Sequence, residues 1–169
     1  MFENMGEVQA LRAMIVKAQE LGLKGVGAAL TDHASKDAKE EKIGRVWDPL
    51  IVNIGKPFDN GIDYWGICMY MISEMLRTGK PAGTVVGAEY PAGEPRNPTG
   101  GLVIEKDNLR FYVAFAGGTE EQNVQVAQAG IDAFCEYRDE VKEAHHRLNE
   151  SLSVLGNLLG FVGFGIPND

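Results

Sequence analysis

The order of apolar patterns along this chain predicts an α/β protein of the α+β kind, an antiparallel sheet flanked by helices and completed by a long C-terminal helix. Three observations predict it. Two β-rich runs, 102–105 and 109–116, are separated by Lys106-Asp107-Asn108, which is a hairpin pattern. The helical patterns come as α, β, β, α, then the hairpin, then α, an order that suits an antiparallel sheet better than a doubly wound parallel one. Finally, Val124, Ala127, Ile131, Phe134, Val141, Ala144 and Leu148 keep one helical stripe going for about seven turns.

Each element has its own signal. In 6–22, Val8, Leu11, Ile15 and Ala18 fall on one face of a helix that ends at Gly22. The run GVGAAL (25–30) is a short strand whose small residues let a helix pack close. Residues 32–42 (DHASKDAKEEK) carry charge without an apolar period and are expected as a solvated loop or short exposed helix. LIVNI (50–54), with Pro49 before it and Gly55-Lys56-Pro57 after it, reads as a buried strand. The second helix spans 63–77, with Trp65, Met69, Ile72 and Leu76 at helical spacing and Gly79 with Pro81 closing it. Three prolines in 90–98 forbid ladder pairing there and imply a rigid surface loop. In 109–116, Leu109, Phe111, Val113 and Phe115 alternate with Arg110, Tyr112 and Ala114, so one face is expected to meet the core. Thr119-Glu120-Glu121-Gln122 is a capping box that starts the long helix.

Composition narrows the function. With 169 residues the chain suits one domain, read as 1–150 with an apolar, glycine-spaced tail at 151–169. A net charge of −8 argues against sequence-independent nucleic-acid binding, which needs clustered cations. Cys68 and Cys135 lie in apolar helical patterns without CxxC spacing and read as buried thiols. The start MFENMGEVQA lacks a basic region followed by an apolar run, so a cytoplasmic protein is expected. The apolar stretch 152–166 is too short and too glycine-rich to span a bilayer. An exposed patch of that kind marks a contact, so docking on a neighbouring subunit of a homo-oligomer is expected. No GxSxG, P-loop or HExxH motif is present.

Gly100-Gly101-Leu102-Val103-Ile104, the turn Gly117-Gly118-Thr119, Glu121-Gln122 and Ala127 with Ala129-Gly130 together resemble the GlcG/HbpS-like family, also called the haem-degrading-domain family, which includes the C-terminal domain of PduO-type adenosyltransferases. The match is good over about 35 residues and departs from the family pattern in three places. Asn123 stands where an acidic residue is expected, Thr31-Asp32-His33-Ala34 replaces the usual VD-x-x-G turn, and the chain past about 140 exceeds the family domain. The resemblance implies a profilin-like sandwich, frequent homo-oligomers, and a ligand cleft near the glycine turns. Haem or iron binding is implied for some members, and association with small-molecule catabolic enzymes for others.

Site candidates follow from the residues. Gly117-Gly118 before a capped helix would turn backbone amides toward a carboxylate, although a tight turn needs the same glycines and Glu120 and Glu121 already place negative charge there. His33 beside Asp32 is the candidate haem-iron ligand or general base, against the plainer reading of a polar loop residue. His145 and His146, adjacent late in a helix, cannot form an i, i+4 metal pair and read as surface or interface residues. Arg45 and Arg96 are candidate carboxylate clamps, and Trp47 and Tyr90 could cover a flat ligand or simply seal the core edge. The leading reading is a small-ligand or haem-binding protein that holds its ligand between the Gly100-Gly101 strand and the Gly117–Thr119 helix start. The alternative is an isomerase, lyase or hydratase acting on a carboxylated catabolic intermediate, with Asp32, His33 or Glu121 moving the proton, or an accessory subunit of such an enzyme.

Overall fold

The computed structural model describes residues 5–33, 49–83 and 98–161, with the side chains of His33 and of 156–161 outside the description. The chain divides within its last helix into two compact units, Met1–Cys135 and Glu136–Asp169.

In the first unit, α1 (Met5–Glu20) ends where Gly22 takes φ 67°. The Gly22 N–H donates to the Gln19 carbonyl at 3.0 Å and Leu23 N–H to the Ala18 carbonyl at 2.8 Å, closing the helix with a Schellman pair. Strand β1 covers Gly25–His33 and β2 covers Leu50–Ile54. β3 (Phe58–Asp59) and β4 (Ile62–Asp63) form a two-rung hairpin around Asn60-Gly61, both at positive φ. Asn-Gly is the sequence signal for that turn, and it is absent from the sequence reading above. The Asp63 carboxylate accepts from Gly66 N–H at 2.9 Å and starts α2 (Tyr64–Thr78), which Gly79 ends at φ 67°. β5 (Gly101–Lys106) and β6 (Leu109–Ala116) are joined by Asp107-Asn108 alone, at φ 57° and 61°. The expected three-residue loop is therefore a two-residue one, with Lys106 still paired to Leu109. α3 runs Glu120–Phe161 and crosses from the first unit into the second.

The sheet has the order β2-β1-β6-β5 with every pair antiparallel. It is an α+β fold, as the element order predicts. β1 is three residues longer than expected, because β6 offers ladder partners as far as Leu109. Asp32 and His33 sit in strand opposite Arg110 and Leu109 rather than in a solvated loop.

The expectation that one face of β6 meets the core needs correction, since both do. Phe111, Val113 and Phe115 pack with α1 and the first part of α3, where Phe134 stacks on Phe111 with ring centroids 3.9 Å apart. Tyr112, Ala114 and Ala116 pack with α2 and with Val26, Ala28 and Leu30 of β1. Helix faces rotate to match these cores. α1 buries Ala10, Leu11, Met14 and Ala18, leaving Val8 and Ile15 half-buried. α2 buries Ile67, Cys68, Met71, Ile72 and Met75 while Trp65 is exposed, because its sulfur-bearing side fits the alanine-rich sheet face. In α3, Val126 takes the buried place expected of Val124.

Two backbones meet without side chains at the start of β1. A Cβ on Gly25 would lie 2.0 Å from the Ala116 carbonyl oxygen, and one on Gly117 would lie 2.1 Å from that of Lys24. Neither position has room for a methyl group.

In the second unit α3 continues with exposed Leu148, Leu152, Val154 and Leu155. Its polar residues bond along the helix, Glu143 with Arg147 and His146 with Glu150. Among the described residues no helix is long and apolar enough to cross a membrane.

Gly25→Ala is expected to cost roughly 1–3 kcal/mol, since the added methyl must displace backbone rather than a flexible side chain. Urea unfolding checks it, with Gly22→Ala, where a Cβ meets nothing within 4 Å, as the control for conformational strain alone.

Candidate functional site

Where β6 passes into α3, beside the start of α2, the first unit has a cleft of about 210 Å³. Local chemistry builds its walls. The Asn60-Gly61 turn returns the chain so that Ile62 reaches the cleft, and the Asp63 cap fixes Tyr64 as the first residue of α2, its N–H donating to the Pro57 carbonyl at 3.1 Å. Ile62, Ile67, Pro98 and Ala116 form the apolar lining. Gly117 and Gly118 form the turn beneath, and Thr99, Glu120 and Asn123 supply polar atoms.

The helix start is internally satisfied. Thr119 N–H donates to Gln122 Oε1 at 3.0 Å and Gln122 N–H to Thr119 Oγ1 at 3.3 Å, the capping box in full. Gly118 N–H donates to Asn123 Oδ1 at 2.8 Å, while Asn123 Nδ2 reaches the Thr99 carbonyl at 3.4 Å. Asn123 is buried and ties the two sides of the cleft together. Two amides that could have met a carboxylate are thus already held by side chains, and Glu120 belongs to the same lining. Gly118 and Thr119 are positioned as capping residues, which leaves an anion little to bind at this turn.

Gly100 and Gly101 serve close packing. Gly100 has φ 120°, and a Cβ there would stand 2.5 Å from Asn123 Cβ; one on Gly101 would stand 2.7 Å from Ala82 Cβ. Glu121 is exposed and outside the lining, where its neighbour Glu120 is found instead. Arg45 and Arg96, with Trp47 and Tyr90, lie outside the described residues.

Asp32 and His33 belong to the other end of the sheet. Val26 pairs with Ala116 at the cleft and Asp32 pairs with Arg110 six residues along, a separation of roughly 20 Å at the strand rise. Around Asp32 the sheet carries a second polar group. Arg110 Nε donates to Glu105 Oε1 at 2.8 Å, and the Tyr112 side chain lies near its guanidinium. The Glu105 bond, with help from Tyr112, holds Arg110 charged above its ordinary range, and burial pushes the Tyr112 phenol up. Asp32 and His33 are therefore separated from the glycine turn by the length of β1.

The residues missed by sequence reasoning are Tyr64, Glu120 and Asn123. Asn123 does carry a signal, as the departure from the acidic residue that the resemblance leads one to expect. Among the described residues no group of three or more His, Cys, Asp or Glu side chains comes together to hold a metal. His145 is exposed, and His146 Nε2 lies 3.3 Å from Glu150 Oε1. Cys68 is fully buried, its Sγ donating to the Ala114 carbonyl at 3.5 Å, and burial pushes its thiol up from 9.0.

No family model matches the sequence, and no curated protein is significantly similar to it. Solved structures do match. The crystal structure of a PduOC:heme complex superposes with a TM-score of 0.54 at 17% identity, covering 76% of this chain and 91% of that one. Klebsiella pneumoniae protein ORFY, a DUF336 protein, superposes with a TM-score of 0.54 at 18% identity, covering 77% and 88%. The chain has a GlcG/HbpS-like fold. Within this fold the glycine turn and the helix start that carry the resemblance form one wall of the cleft.

The raised Cys68 pKa fixes a sign. The folded state keeps the thiol protonated, so this contribution is complete below the ordinary thiol pKa and is lost as pH rises above about 9. Unfolding free energy measured from pH 7 to 10.5 is expected to fall with a slope of up to about 1.4 kcal/mol per unit from this group. Cys68→Ala removes that component of the slope while lowering stability at pH 7.

Proposed function

We propose that this chain is a small-ligand-binding protein and that its ligand sits in the cleft between the start of α2, residues 98–99 and the β6–α3 turn. One observation carries the reading. An apolar set, Ile62, Ile67, Pro98 and Ala116, shares the lining with a few residues that carry polar groups, Tyr64, Thr99, Glu120 and Asn123, the composition of ligand pockets generally.

Haem is the ligand to test first, because one protein of the same fold was solved as a haem complex. The residues fit it in part. The apolar wall suits the face or edge of a flat macrocycle, and Tyr64 is a side chain of a type that ligates haem iron. A volume of about 210 Å³ is below the range of roughly 300–1,000 Å³ that encloses a drug-sized ligand, so the cleft takes one edge of haem or all of a smaller molecule. Glu120 turns propionates away from the helix start, and the separation along β1 leaves His33 outside the cleft. Iron ligation therefore rests with Tyr64 in this reading. An enzyme on a small carboxylated intermediate is supported less, since Asp32 and Glu121 do not line the cleft and two of its amides are taken.

Haemin titration followed at the Soret band tests the proposal. Wild-type protein is expected to give a saturable shift at one equivalent, Tyr64→Phe to weaken it at least tenfold, and His33→Ala to leave it unchanged. Loss in His33→Ala with retention in Tyr64→Phe would move the haem site to the far end of β1. A non-saturating response in the wild type would remove haem and leave a smaller ligand for the cleft.

A further inference from the structure

We propose that the second unit pairs with a second copy of this chain through residues 141–155 of α3, as a parallel, in-register, two-stranded coiled coil. Val141, His145, Leu148, Leu152 and Leu155 follow one another at spacings of four, three, four and three. In heptad notation His145 and Leu152 occupy a, and Val141, Leu148 and Leu155 occupy d. Leu148, Leu152 and Leu155 are 57%, 56% and 54% exposed, a periodic apolar stripe that the described residues leave open to solvent. A helix in water draws most of its stability from packing such a stripe.

The distribution of charge selects the occupant. Asp139, Glu140, Glu143, His146, Arg147 and Glu150 all fall at b, c or f, away from the seam. On that outer side Glu143 pairs with Arg147 and His146 with Glu150. Within 141–155 the flanking g positions, Ala144 and Ser151, are uncharged and the e positions are Lys142 and Asn149, while Arg138, at the preceding a position, ends the apolar seam on its N-terminal side. An identical helix in register therefore meets no like-charged g–e pair, although each chain carries a net −8. His145 sets the orientation. Parallel strands place a against a, so the two imidazoles share one layer, whereas antiparallel strands would set each against a leucine at d. A polar residue at a single a position fixes register in this way. Val154 lies outside the seam, at c.

Light scattering on the full chain at pH 7.5 is expected to give twice the 18.4 kDa chain mass, falling to the chain mass in Leu148→Glu/Leu152→Glu with the thermal transition of the first unit retained. A monomeric wild type, or a dimer that survives the double substitution, would overturn the proposal. Cysteine cross-linking decides independently of whether that variant folds. In a Cys135→Ser background, Val141→Cys and Leu155→Cys are each expected to form a disulfide with their own kind. Cross-linking only when the two variants are mixed would overturn the parallel register.

Discussion

Strand β6 buries both of its faces, and the side chains on the two faces differ in size. Three large residues, Phe111, Val113 and Phe115, point toward α1 and α3, while Tyr112 and two alanines point toward α2. The large face needs a deep core, supplied by Met14 and Phe134. The small face needs a helix that comes close, and α2 meets it with Cys68, Met71 and Met75. Because one strand serves both layers, helix rotations on either side are fixed by β6 rather than by each helix's own pattern.

The cleft is a consequence of how that strand ends. Ala116 leads directly into Gly117 and Gly118, where the backbone passes so close to Lys24 and Gly25 that neither Gly25 nor Gly117 has room for a Cβ. The chain must then turn sharply into α3, and side-chain bonds from the capping box and Asn123 hold that turn together with the backbone bond from Asn123 N–H to the Thr119 carbonyl. A turn stabilised from within presents shape and apolar surface to a ligand more than free hydrogen-bond donors. This is why the cleft reads as a pocket for an apolar body, with Tyr64 and Glu120 as its polar features.

The two ends of the sheet are chemically distinct. The cleft end is glycine-rich and apolar, whereas the hairpin end carries Asp32, Glu105, Arg110 and the Tyr112 hydroxyl. Antiparallel pairing places Asp32 and Glu105 as the register partners of Arg110 on its two sides, so the guanidinium is compensated within the sheet itself. Residues adjacent in the sequence reading as one functional set, Asp32 with the Gly117 turn, are parted by the length of β1.

The sequence by itself determined the elements whose signals are local. The capping box at Thr119, the glycine ends of α1 and α2, the β5–β6 hairpin and the helical stripe of α3 all depend on residues within a few positions of one another. Resemblance in the glycine turns extended that to the fold. Only the tertiary structure decided which helix faces are buried, since a periodic stripe shows that a face exists but not its angle to a partner sheet. The same limit hid the cleft, whose lining comes from 62–67, 98–99 and 116–123. Tyr64 and Glu120 have no motif of their own, because what brings them together is the pairing of β1 with β6 and the packing of α2 on small residues.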